Sequence, residues 1–173
     1  MNFFEQCHKH ALLNPESKAI VSNSVVLNYA QMLERVKIGA ALLAEEGIDE
    51  NATVGLTVPN EVEHLIITLS LFYVGARQII LPSHSTFKMN EMLADRVHVT
   101  HVLTDNPINS APVKRVLMSG GMKNTVRPNA LKLMNKKEGI IFLQTSGTTA
   151  RPNVLEFSEH QKSRTRKFGQ SDK

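Results

Sequence analysis

Hydrophobic residues follow two different periods along the first hundred positions of the chain. Apolar side chains recur at helical spacing over 29–43 and 65–73, which predicts two amphipathic helices. Strands buried on both faces are predicted from short apolar runs at 53–58, 78–82, 100–105 and 139–144. Strands that alternate with helices through short connections predict an α/β fold, with an open, mostly parallel sheet and helices on both faces.

Polar residues and glycines mark where the predicted helices begin and end. Asn28, with Gln31 three positions later, matches a capping box, and Asn60 stands in the same place before the next helix. Gly47 and Gly75 follow the last apolar positions, where a left-handed residue commonly ends a helix. Shorter elements are predicted as helices over 3–13 and 88–96 and as a hairpin of 18–22 with 25–27.

The composition is typical of a soluble globular protein. The 173 residues are 42% hydrophobic and 21% charged. A single cysteine, Cys7, excludes an intrachain disulfide and suits a reducing compartment. The longest apolar run, 65–74, is about half of the ~20 residues that span a bilayer, and the first residues do not resemble a secretory signal. We therefore expect a cytoplasmic protein without a membrane span.

The net charge of +4 is concentrated near the end of the chain. Residues 1–150 carry 14 Lys and Arg against 13 Asp and Glu, whereas 151–173 carry 6 against 3. We predict a partial α/β subdomain over 1–158 and a basic tail over 159–173 that is frayed or truncated. The basic stretch 114–137 lacks aromatic residues for base stacking, which favours a solvated surface over a nucleic-acid site.

A cluster of hydroxyl groups and one glycine follows the last predicted strand. The cluster consists of Thr145, Ser146, Gly147, Thr148 and Thr149. Ligands of open α/β sheets bind beyond the carboxyl ends of strands, and successive backbone N–H groups in such a turn bind anions. These features favour a phosphate site, although a solvated turn that satisfies its own backbone has the same composition. The spacing is not that of a Walker A loop.

The longer stretch "TSGTTARPNV" at 145–154 resembles the "TSGTTGxPKG" phosphate loop of the adenylate-forming enzymes. That family includes acyl-CoA synthetases, adenylation domains of nonribosomal peptide synthesis and luciferases. Upstream segments are similar to the same family in the same order, namely "VLNYAQMLERVKIGAALLAEEGI", "VGLTVPNEVEHLIITLSLFYVGARQIILP" and "ADRVHVTHVLTD". The resemblance runs from about residue 12 to about residue 158 and implies the first subdomain of the family's large domain.

The resemblance implies a two-step ligase reaction. A carboxylate attacks the α-phosphate of ATP with Mg²⁺, which gives an acyl-adenylate and pyrophosphate, and a thiol, often that of coenzyme A, then takes the acyl group. The family's loop holds the β- and γ-phosphates, and the matching positions here are Thr145, Ser146, Gly147, Thr148 and Thr149.

The second half of the loop departs from the family's sequence. Ala150 and Val154 stand where the family has glycine, and Asn153 stands where it has lysine. Asn153 donates a hydrogen bond but carries no positive charge, so weaker phosphate binding is expected. Arg151 and Asn153 are candidates for weak additional contacts.

Family members run to several hundred residues, and their adenine, ribose and metal sites would lie beyond residue 158. We therefore expect an N-terminal fragment of an AMP-forming carboxylate ligase, inactive alone, with no catalytic residue or metal ligand of its own. The alternatives are a degenerate, non-catalytic family member that acts as a binding or regulatory module, or a basic nucleic-acid-binding domain. A sheet cut partway also predicts self-association through its exposed edge.

Overall fold

The computed structural model describes residues 3–82, 84–104, 114–117, 137–145 and 153–158. The helices are α1 (Phe3–Leu13), α2 (Tyr29–Glu45), α3 (Glu61–Val74) and α4 (Phe87–Arg96). The strands are β1 (Lys18–Val21), β2 (Val26–Asn28), β3 (Thr53–Thr57), β4 (Arg77–Ile80), β5 (His101–Thr104), β6 (Lys114–Leu117), β7 (Ile140–Thr145) and β8 (Asn153–Ser158). None of the helices in these ranges is long and apolar enough to cross a membrane.

Six of the strands form one sheet in the order β6-β5-β3-β4-β7-β8, and β1 and β2 form a separate antiparallel pair. The neighbours from β6 to β7 are parallel, and β8 runs antiparallel to β7. The predicted open, mostly parallel α/β sheet is therefore confirmed.

Helices cover the two faces of this sheet. Val54 and Leu56 of β3 pack with α2 and α3, so we call that side the α3 face. Ile79 of β4 and Phe142 of β7 pack with Leu93 of α4 on the opposite side, the α4 face. Because neighbouring residues of a strand point to opposite faces, apolar residues at successive positions are buried on both sides.

The helix caps lie where the sequence predicts them. The Asn28 side chain accepts a hydrogen bond from the Gln31 N–H, and the Gln31 side chain accepts one from the Asn28 N–H. Asn60 accepts from the Glu63 N–H at the start of α3. Gly47 and Gly75 have φ values of 80° and 78°, in the left-handed region that L side chains rarely adopt.

Two strands were not predicted from the sequence. β6 lies within the polar, basic stretch after residue 105, and β8 follows the hydroxyl-rich loop. Among the described strands, β6 and β8 form the two edges of the six-stranded sheet. The predicted basic tail, 159–173, lies outside the described residues, so the proposed boundary at residue 158 stays a prediction.

Candidate functional site

The hydroxyl-rich loop connects two antiparallel strands at the end of the sheet. β7 and β8 pair over six residues, and Thr145 lies directly opposite Asn153 at the last position of the ladder. Residues 146–152 join these two positions. The ladder thus makes Thr145 and Asn153 the base of the loop, and it brings together two of the residues that the sequence assigned to the phosphate site.

The side chains of Thr145 and Asn153 belong to the same face of the sheet. Phe142 and Val154 are buried on the α4 face. Thr145 is three positions from Phe142 and Asn153 is one from Val154, so alternation along each strand places both on the α3 face. Thr145 is half-buried and Asn153 is exposed, which leaves both polar groups at the surface of the loop base.

The other predicted phosphate-binding residues lie outside the described part of the chain. These are Ser146, Gly147, Thr148, Thr149 and the weaker candidate Arg151. Their assignment rests on the sequence and on the two residues that frame them.

The loop base lies at the carboxyl edge of the parallel strands, where two helices also begin. α3 starts after Asn60 and α4 after Thr86, so the positive ends of both helix dipoles point towards this edge. The first turn of α3 contains Glu61 and Glu63, whereas that of α4 contains no acidic residue and includes Lys88. The α4 side of the edge is therefore the more favourable for an anion.

Polar side chains that sequence reasoning did not select hold the backbone at this edge. The Thr57 hydroxyl donates to the Leu103 carbonyl over 3.3 Å, and the Asn90 amide donates to the Pro82 carbonyl over 3.0 Å. His64 Nδ1 lies 3.3 Å from the Val58 carbonyl. The partners are distant in sequence or irregular in spacing, so no local pattern marks these residues.

Within the described ranges, no three side chains of His, Cys, Asp or Glu are grouped as a metal site. His8, His10, His98 and His101, which the sequence places in two closely spaced pairs, are all described. No residue of this part of the chain is assigned to a metal ion.

One protein family, described as AMP-binding enzyme, has a sequence model that matches residues 7–154. The chain belongs to this family. The matched range includes Thr145 and Asn153, together with every strand and helix that precedes them from residue 7 onwards. The resemblance to adenylate-forming enzymes is thereby confirmed.

Curated relatives include CoA ligases of much greater length. The chain is 25% identical over 166 residues to a probable CoA ligase of Humulus lupulus, in a match that covers 81% of this chain and 31% of that protein. It is 22% identical over 161 residues to a 2-succinylbenzoate–CoA ligase of Bacillus licheniformis, covering 88% and 34%. The AMP-binding family member described here thus spans about a third of the length of these relatives.

Solved structures of adenylate-forming enzymes share the fold. The N-terminal subdomain of Klebsiella oxytoca NpsA, in complex with 3-hydroxybenzoyl-AMSN, superposes with a TM-score of 0.73 at 14% identity, covering 91% of this chain and 41% of that one. The O-succinylbenzoate coenzyme A synthetase of Bacillus subtilis, in complex with AMP, gives 0.70 at 17% identity, covering 90% and 42%. The chain therefore has the architecture of the N-terminal portion of such proteins.

Proposed function

We propose that this chain is the N-terminal part of an ATP-dependent, AMP-forming carboxylate ligase and that it supplies the loop for the triphosphate of ATP. The observation that carries this proposal is the β7–β8 hairpin. Its ladder ends in Thr145 and Asn153 at the carboxyl edge of the sheet, on the two sides of the hydroxyl-rich loop. Family membership and the N-termini of α3 and α4 at the same edge support a nucleotide as the ligand.

The proposed chemistry divides between this chain and residues that it does not contain. Attack of a carboxylate oxygen on the α-phosphorus of ATP forms the acyl–phosphate bond, breaks the bond to the β-phosphate oxygen and releases pyrophosphate. Thr145 donates its hydroxyl proton to a phosphate oxygen, and the exposed Asn153 amide donates from the opposite strand. Each hydrogen bond to a charged group contributes about 1.5–3 kcal/mol. Magnesium enters with the nucleotide, and coenzyme A is the proposed thiol acceptor in the longer enzyme.

We propose that the 173-residue chain does not complete the reaction by itself. The relatives contain roughly three times as many residues as the matched part, and no catalytic residue is assigned here. Release of pyrophosphate from ATP and a carboxylic acid by the purified chain would contradict this part of the proposal. The proposed location is the cytoplasm, with no membrane span and no nucleic acid as a partner.

A non-catalytic binding or regulatory module is the second candidate function. Asn153 is the observation that favours it, because this position stands at the loop base where the family has lysine. Replacing a fixed cation with a neutral amide weakens attraction for the triphosphate. Asn153→Lys distinguishes the two candidates, since a phosphate loop gains affinity for Mg·ATP from the added charge, whereas a site for an uncharged ligand does not.

Removal of one hydroxyl at the loop base tests the proposed function. Thr145→Val keeps the side chain's shape and is expected to weaken Mg·ATP binding about tenfold, as loss of one charge-assisted hydrogen bond predicts. Binding is measured by calorimetry and by the amide NMR signals of 140–145 and 153–158. Thr100→Val is the matched control, because Thr100 bonds to Thr53 at the opposite, amino-terminal edge. Equal affinity in both variants, or no binding by the unmodified chain, would refute the triphosphate site.

Self-association through a sheet edge stays a prediction. β8 has no pairing partner among the described strands on its outer side. Ile80 and Leu143, which end or follow the parallel ladder, are partly exposed large apolar residues. An unpaired edge next to exposed apolar residues favours pairing with another chain.

A further inference from the structure

The loop base is held by β7 alone on the side of the parallel sheet. The ladder between β4 and β7 begins at Arg77 opposite Ile140 and ends at Ile79 opposite Phe142. Beyond Phe142, the described partner of β7 is β8, up to Thr145. Three residues of hairpin therefore project past the ladder, and the position of Thr145 depends on how the beginning of β7 is anchored.

Gly139, immediately before β7, makes the closest approach of this segment to a helix. A Cβ atom at Gly139 would lie 2.6 Å from Phe72 Cδ1 and 3.0 Å from Phe72 Cα on α3. Contacts below about 3 Å are strongly repulsive, and the second one involves backbone that a rotamer change does not move. Glycine is thus required for β7 to begin this close to α3.

The backbone of Phe72 has little freedom to retreat from Gly139. Gly75 turns the chain from α3 directly into β4 with a φ of 78°, and its N–H donates to the carbonyls of Leu71 and Phe72. The Ile140 N–H in turn donates to the Ala76 carbonyl over 3.3 Å. The end of α3, the start of β4 and the start of β7 are therefore coupled through one short stretch of backbone.

We propose that Gly139 is a positioning residue for triphosphate binding, acting through Phe72 to set where Thr145 lies at the loop base. This inference rests on the proposed function. An added methyl group at residue 139 pushes the start of β7 away from α3. The six-residue strand that follows, about 20 Å long, carries the displacement to the loop, since Thr145 has no second parallel neighbour in the described sheet to resist it.

A pair of glycine substitutions separates positioning from loss of stability. Gly139→Ala is expected to weaken Mg·ATP binding about tenfold, because displacement of a binding group by a fraction of an ångström is costly. Gly55→Ala is the matched control, since a Cβ there would meet Leu81 Cδ1 at 2.5 Å on β3, which does not lead to the loop. Both variants are expected to melt at lower temperature, but Gly55→Ala keeps the unmodified chain's affinity.

Phe72 gives a second test from the other side of the contact. Phe72→Ala removes the ring that the new methyl group would strike, so Phe72→Ala combined with Gly139→Ala is expected to recover most of the lost affinity. Phe72→Ala alone loosens the anchor and is expected to weaken binding about threefold, which remains measurable if Gly139→Ala does not fold. Leu65→Ala, two turns earlier on α3 and exposed, is the control and leaves binding unchanged.

The outcomes distinguish this inference from the proposed function. If the unmodified chain binds Mg·ATP and Gly139→Ala binds equally well, the positioning role of Gly139 is wrong while the triphosphate site stands. The same holds if Gly139→Ala and Gly55→Ala lose affinity in proportion to their melting temperatures. If the unmodified chain shows no binding, the proposed function fails, and the positioning role fails with it.

Discussion

The centre of the sheet and the β7–β8 hairpin are built in different ways. β3 has a parallel strand on each side, and its residues pack against α2 and α3 on one face and near Leu81 and Val99 on the other. The hairpin is buried on the α4 face through Phe142 and Val154, whereas Leu143 on the other face is 37% exposed. The centre is thus enclosed on both faces, and the hairpin is enclosed on one.

This difference separates stability from proposed function. Burial on both faces supplies most of the hydrophobic stabilisation of an α/β sheet. The hairpin gives up part of that stabilisation, and its end presents two polar residues at the carboxyl edge instead. Binding residues are commonly placed on loops that a rigid scaffold positions. Substitutions in the centre should therefore affect folding most, and substitutions at the hairpin end should affect binding most.

The largest expected effect is a leucine truncation in the two regions. Leu71→Ala removes a fully buried side chain of α3 (0% exposed) and is expected to lower the free energy of unfolding by about 2–5 kcal/mol. Leu143→Ala on β7 is expected to cost about 1 kcal/mol or less, because that side chain is already partly in water. Urea denaturation measures both. A larger loss for Leu143→Ala would mean that the hairpin is enclosed on both faces after all.

An asparagine in each region gives a smaller and sharper contrast. Asn28→Ala breaks both hydrogen bonds of the capping box at α2 and is expected to cost about 1 kcal/mol of stability. Asn153→Ala removes an exposed side chain at the loop base and is expected to change stability by less than about 0.5 kcal/mol. Thermal denaturation at constant pH compares them. Equal losses would show that Asn153 has a structural role comparable to a helix cap.

The smallest expected effect is a pH dependence in the enclosed region. Burial of Tyr73 on α3 raises the pKa of its phenol above the ordinary value of 10.0. The unfolded chain therefore releases this proton at lower pH than the folded protein, so the stabilising contribution is complete below pH 10.0 and is lost as pH rises above it. The difference in unfolding free energy between the unmodified chain and Tyr73→Phe should shrink from pH 9 to pH 11, at ~25 °C. A difference that stays constant would place the phenol in water.

Sequence reasoning predicted the enclosed region well and the edges poorly. The helices from Asn28 and Asn60 carry explicit start signals, and glycines at 47 and 75 carry stop signals, so their limits agree with the structure within about two residues. β6 was missed because it is four residues long within a basic, polar stretch. β8 was missed because its pattern is short and its identity as a strand depends on pairing with β7.

The candidate site was likewise predictable in part. The loop's composition and its place after a buried strand mark Thr145 as a phosphate ligand, and the departure from the family at Asn153 is visible in the letters alone. That Thr145 and Asn153 lie opposite each other on one face is a property of strand register. Register depends on contacts between residues that are distant in sequence, and no local spacing encodes it.

By itself, the sequence determined the α/β class, the caps of the main helices, the loop and its family, because each depends on periodicity or on residue types at short spacing. Tertiary structure alone decided the order β6-β5-β3-β4-β7-β8, the antiparallel turn of β8 and the approach of Gly139 to Phe72. These features arise where segments far apart in the chain compete for the same surface. The winning arrangement is the one that buries the most apolar area while every backbone hydrogen bond finds a partner.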